Sequence, residues 1–132
     1  MEKIQIFYDG KLRNTCTHIR SGSNFKTDAP IDNRGKGKNF SPTDLLVTAL
    51  ASCMMTIMGI TARTSGFCID GSSAEVRKKM STSPRRISLI AICFHIKGAL
   101  TYKDKNKLIK AAKHCPVSKS IHPDIKEEFS FE

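Results

Sequence analysis

The chain has 132 residues, a length that sets the expectation of a single domain, residues 1–132, with room for an oligomer interface to matter. Lys and Arg number 22 against 12 Asp and Glu, a formal net charge of +10, yet the basic residues are spread along the chain without interleaved aromatics, so a solvated basic surface is expected rather than nucleic-acid binding. The five cysteines, Cys16, Cys53, Cys68, Cys93 and Cys115, are odd in number and form no C-x-x-C pair, which argues against a secreted disulfide framework and a zinc ribbon and leaves reduced thiols.

In chain order, Ile4 to Tyr8 and Lys11 to Ile19 read as two strands flanking Asp9-Gly10, a pair suited to a tight hairpin turn. A third strand is expected from Phe25 to Ala29, followed by a Gly-rich, charged, flexible loop from Pro30 to Asn39. Ser41 is placed as an N-cap, Pro42 at the first helical position and Asp44 as the acid of a capping box, so a helix should start here and run to Ser65, where Gly66 supplies a stop. Leu46, Leu50, Cys53, Ile57 and Ile60 recur at three- and four-residue spacing and predict the buried stripe. Thr and Ser interrupt this apolar segment and no leader pattern opens the chain, so no membrane span and a cytoplasmic setting are expected.

Strands are expected over Ala74 to Met80 and Arg86 to Lys97, the second with Ile90, Ile92, Phe94 and Ile96 on one face. Thr101 and Asp104 form a second capping box for a helix from Tyr102 to His114, which Pro116 ends, and a last strand covers Ile125 to Phe131. The order predicts an α+β fold, an antiparallel sheet with a long central helix. That helix is apolar around most of its circumference, so part of it should bury against a second subunit.

Only a thiolate is a good nucleophile, and an apolar surround silences a cysteine, so Cys53 needs a cation to be reactive; Arg13 and Arg20 are the candidates. Otherwise Cys53 is core packing. Cys115, at the end of the second helix, faces the negative end of the helix dipole and suits trapping an oxidised partner better than first attack. His114 beside it is expected to be a surface or capping residue, and Met54, Met55 and Met58 either core or the lining of an apolar pocket. Cys16, Cys68 and Cys93 read as structural. His18, His95 and His122 show no metal-ligand spacing with the cysteines, and no phosphate-binding glycine motif occurs, so neither metal nor cofactor is expected.

Thr27 to Leu46, with Phe40-Ser-Pro-Thr-Asp-Leu-Leu at its end, then Ala49-Leu-Ala-Ser-Cys53, Pro84-Arg-Arg86, Cys115-Pro-Val and Ser120-Ile-His-Pro-Asp, together resemble the OsmC/Ohr family of small thiol peroxidases over nearly the whole chain. The resemblance implies an intertwined homodimer whose active sites draw on both chains, with Cys53 as the peroxidatic and Cys115 as the resolving cysteine of a disulfide. It implies organic hydroperoxides as substrates, a dithiol reductant, a role in oxidative-stress defence, and Arg13, with a one-residue gap, as the active-site arginine. In the Ohr branch a glutamate directly follows the proline at the helix start; Thr43 stands there in this chain and the acid, Asp44, comes one place later. A non-catalytic binding module that uses the basic surface for an acidic partner is the alternative.

Overall fold

The computed structural model describes residues 1–132 and contains two three-stranded sheets and three α-helices. The strands are β1 (Ile4–Gly10), β2 (Arg13–His18), β3 (Asn24–Asp28), β4 (Ser73–Ser81), β5 (Arg86–His95) and β6 (Lys126–Phe131). The helices are α1 (Pro42–Ser65), α2 (Tyr102–Ala112) and α3 (Pro116–Ser120). Contacts gather into two compact units, Met1–Leu46 and Val47–Glu132.

In the first unit β1, β2 and β3 form an antiparallel meander. The hairpin turn is Lys11-Leu12, both at positive φ, and not Asp9-Gly10: Gly10, at φ 93°, sits at a bulge in β1 and pairs with Arg13. Asp9 is drawn into the sheet because its carboxylate accepts hydrogen bonds from Thr15 Oγ1 at 2.6 Å and Lys26 Nζ at 3.4 Å. Buried apolar side chains are few here, and Ile4, Ile6, Phe7, Tyr8 and Phe25 are exposed. The segment after β3, expected to be a flexible loop, is instead tied down. Ile31–Asn33 forms a 3-10 turn, Gly35 N–H donates to the Pro30 carbonyl and Gly37 N–H to that of Ala29. Both halves of the Ser41 capping box are present: the Asp44 N–H donates to Ser41 Oγ at 3.1 Å and the Ser41 N–H to Asp44 Oδ2 at 2.9 Å.

The second unit holds the hydrophobic core. Alternation along β5 turns Ile90, Ile92 and Phe94 inward, where they pack with α1, with Leu108 and Ala112 of α2, and with Cys115. Phe94 stacks on Phe131 of β6 with ring centroids 5.1 Å apart. The buried stripe of α1 is Val47, Leu50, Ala51, Met54, Met58 and Ala62, rotated from the expected one: Leu46 and Ile60 are exposed, and Cys53 and Ile57 sit on the flank. A helix apolar on most sides does not announce which side its own sheet takes. Nor do its Ser and Thr break the apolar run, because an 18-residue window of α1 has mean hydropathy 1.9, long and apolar enough to cross a membrane, with 33% of it buried within the chain. Gly66, at φ 84°, ends the helix where a side chain would be strained.

Sheet β4-β5-β6 departs from the expected antiparallel arrangement in one pair: β6 runs parallel to β5, from Leu89 opposite Lys126 to Phe94 opposite Phe131. The crossover from β5 to β6 carries α2 and α3, long enough for parallel pairing. The capping box of α2 forms as expected, with Thr101 Oγ1 accepting from the Asp104 N–H at 3.1 Å and the Thr101 N–H donating back to Asp104 Oδ2 at 3.1 Å.

Candidate active site

Cys53 is carried on α1 at the edge between its buried stripe and its exposed apolar side, and is itself half-buried. Cys115 is fully buried. The fold brings these two thiols, 62 positions apart in sequence, into one neighbourhood, Cys53 packing against the core cluster that contains Cys115 and acting on its titration. Both cysteines are free thiols in the structure.

Cys115 does not close the C-terminus of α2. That helix ends at Ala112, and Cys115 is the N-cap of α3, with Pro116 at the first helical position. Proline cannot continue α2, but its fixed φ suits the first turn of a new helix, so the residue that stops one helix starts the next. The dipole expectation is thereby reversed: the Cys115 thiol makes no side-chain cap hydrogen bond, but it sits at the positive end of α3, where the backbone N–H groups of Ser118 and Val117 favour its thiolate. They do not win. Burial pushes the Cys115 thiol above its ordinary value, the neighbouring Cys53 thiol pushes the same way, and the two N–H groups only temper the rise. Cys115 is therefore a protonated, water-shielded thiol beside Cys53. α3 is itself anchored, since Ser118 Oγ donates to both carboxylate oxygens of Glu127 on β6, at 2.8 and 3.0 Å. His114 is exposed beside this site.

Met54 and Met58 have no exposed surface and belong to the core, not to a substrate pocket; Met55 alone of the three lines a groove, of about 390 Å³, with Thr48, Ser52 and Val76 among its walls.

Within the first unit Arg13 forms a bidentate ion pair with Asp28, Nε to Oδ1 at 2.6 Å and Nη2 to Oδ2 at 3.0 Å. Asp28 is 2% exposed and also accepts from the Lys38 N–H at 3.1 Å and Asn39 Nδ2 at 3.0 Å. Its carboxyl is lowered to about 2, chiefly by the Arg13 hydrogen bonds, with Asn39 and the Lys38 N–H adding to them. The sequence reading missed Asp28. A signal existed, because a hairpin register that pairs the start of β2 with the end of β3 sets Arg13 opposite Asp28. Arg20, the other candidate cation, is 80% exposed and pairs with Glu2 at 3.0 Å. Thr43 and Asp44 both serve the helix start, Thr43 Oγ1 lying 3.1 Å from Ser41 Oγ.

The family model for OsmC-like protein matches residues 35–130. No curated protein matches the chain. Among solved structures, a protein of Psychrobacter arcticus, provisionally described as an osmotic stress induced and detoxification response protein, is 45% identical with a TM-score of 0.96, over 100% of this chain and 96% of that one. An organic hydroperoxide resistance protein OsmC of Legionella pneumophila is 17% identical, TM-score 0.78, covering 100% and 96%. The organic hydroperoxide resistance protein OhrB of Bacillus subtilis is 18% identical, TM-score 0.67, covering 100% and 98%. The last two likenesses concern the fold.

Proposed function

Starting from the premise that this chain belongs to the OsmC-like family, we propose that it is a thiol-dependent peroxidase that reduces organic hydroperoxides. The observation that carries the reading is the placement of Cys53 beside the buried Cys115, packed against the same core cluster and acting on its titration. The more accessible of the pair, Cys53, attacks as the thiolate on the distal peroxide oxygen; the O–O bond breaks, the alcohol leaves with a proton, and Cys53 becomes a sulfenic acid. Cys115 then attacks that sulfur, the S–O bond breaks, and the Cys115 proton departs with the hydroxyl as water, leaving a Cys53–Cys115 disulfide for a dithiol to reopen. A protonated, shielded Cys115 suits this order, since it stays idle until an electrophilic sulfur forms beside it.

The assembly belonging to this reading is an intertwined homodimer in the cytoplasm, with residues 1–132 acting as one domain and Arg13 of the partner subunit stabilising the Cys53 thiolate. Two of the five N–H donors of Arg13 go to Asp28, whose buried carboxylate fixes the guanidinium plane and leaves three donors for a thiolate or a peroxide oxygen. Exposed Ile4, Ile6, Phe7 and Phe25 on the first sheet and Leu46 and Ile60 on α1 are the surfaces a second copy would cover.

The test is the loss of cumene hydroperoxide on mixing with purified, reduced protein. Stoichiometric loss is expected from the wild type, none from Cys53→Ser, and a slower loss from Arg13→Ala than from Arg20→Ala. A wild type that consumes no hydroperoxide sinks the proposal, and in that event retention on a polyanion column would favour the binding-module alternative, for which Lys103, Lys107, Lys110 and Lys113 along α2 supply exposed charge.

A further inference from the structure

A third cysteine keeps different company on the opposite face of sheet β4-β5-β6. Where Ile92 and Phe94 point into the core, the alternate residues Cys93 and His95 point away from it and are half-buried. Cys93 Sγ lies 3.7 Å from His95 Nε2, and His95 Nδ1 lies 3.2 Å from Glu132 Oε2. The backbone fixes this group, because the Glu132 N–H donates to the Phe94 carbonyl at 2.7 Å and the Glu132 carbonyl accepts from the Ile96 N–H at 2.9 Å. Ligand atoms of the three residues all lie within 4.8 Å of one another.

We propose that Cys93, His95 and Glu132 form a site for one divalent cation of the zinc class, with the Cys93 thiolate and His95 Nε2 as ligands and Glu132 orienting the imidazole through Nδ1. A carboxylate on Nδ1 selects the tautomer whose Nε2 lone pair faces Cys93, the arrangement metal-binding histidines use. The spacing fits as well. A tetrahedral zinc about 2.3 Å from sulfur and about 2.0 Å from nitrogen holds those two atoms about 3.5 Å apart, and here they are 3.7 Å apart before any metal enters. A thiolate and an imidazole favour borderline-soft cations over calcium or magnesium, which take oxygen ligands. Further oxygen donors are at hand, because Glu75 and Ser130 are the direct neighbours of Cys93 in register on β4 and β6. Both line, with Cys93 and Glu128, an open cleft of about 530 Å³ that has room for metal-bound water, and its two carboxylates outnumber its one cation, Arg77.

The experiment uses the full chain carrying Cys53→Ser and Cys115→Ser, so that the redox pair cannot hold metal. Zn²⁺ is titrated against a chromophoric chelator and Co²⁺ is followed by its thiolate charge-transfer absorption. One equivalent of each metal should bind, with the charge-transfer band present. Adding Cys93→Ser should abolish the band and weaken Zn²⁺ at least tenfold, His95→Ala should weaken Zn²⁺ similarly, and Glu132→Gln should weaken it by about 10–100-fold, the usual cost of losing such an orienting carboxylate. Failure to bind one equivalent overturns the site, and so does a charge-transfer band that survives Cys93→Ser. Unchanged affinity in His95→Ala or Glu132→Gln overturns the geometry assigned.

Discussion

Oxidation by a hydroperoxide should make the protein markedly harder to unfold. A Cys53–Cys115 bond closes a loop of 62 positions, and the chain-entropy relation for such a loop removes about 14 cal/mol/K from the unfolded state, or about 4 kcal/mol at 25 °C. The native state should give little of that back, because the two cysteines already pack in one core cluster. With an unfolding entropy of about 2.1 cal/mol/K per residue over 132 residues, the gain corresponds to a rise in Tm of about 15 °C. The assay is scanning calorimetry of reduced and stoichiometrically oxidised protein at one fixed protein concentration, with the bond located by peptide mass mapping and reversed by dithiothreitol. Cys115→Ser should show no shift. A mapped Cys53–Cys115 disulfide with an unchanged or lowered Tm would refute the reasoning, since it would mean that the bond forms only at the expense of native packing.

Other expectations rest on single groups. The Asp28 carboxyl is lowered from its ordinary 3.8 to about 2, so its contribution to stability is present above about pH 4 and is lost as pH falls through about 2; Asp28→Asn should lower stability at neutral pH and flatten the acid limb of a Tm-versus-pH curve between those values. Ser41 is 2% exposed, so Ser41→Ala leaves the Asp44 N–H without a partner away from water and should cost about 2 kcal/mol, against about 1 kcal/mol for Thr101→Ala in the exposed box of α2; denaturant unfolding compares them, and equal costs would contradict the role given to burial. The exposed apolar side of α1 and of β1 should make the chain an obligate dimer whose Tm rises with protein concentration, and sedimentation showing a stable folded monomer at micromolar concentration would remove the partner's Arg13 from the site.

Local chemistry decides what is local, and there the sequence was sufficient. Ser41-Pro42-Thr43-Asp44 and Gly66 delimit α1 at the residues expected, and Thr101 with Asp104 starts α2, because a cap is built from side chains a few positions apart. Alternation along β5 marked its inward face for the same reason. The rest depended on partners distant in the chain. Nothing in a helix apolar on most sides says that Met54 and Met58 face its own sheet while Leu46 and Ile60 do not, since burial is assigned by whatever packs alongside. Neither Asp28 nor Glu132 has a local motif: the first acquires its role when antiparallel register sets it opposite Arg13, the second when parallel pairing carries β6 past His95. The motif Cys115-Pro-Val showed that α2 must stop; only the tertiary structure turned that stop into the start of α3, which places the Cys115 thiol in the core cluster on which Cys53 packs.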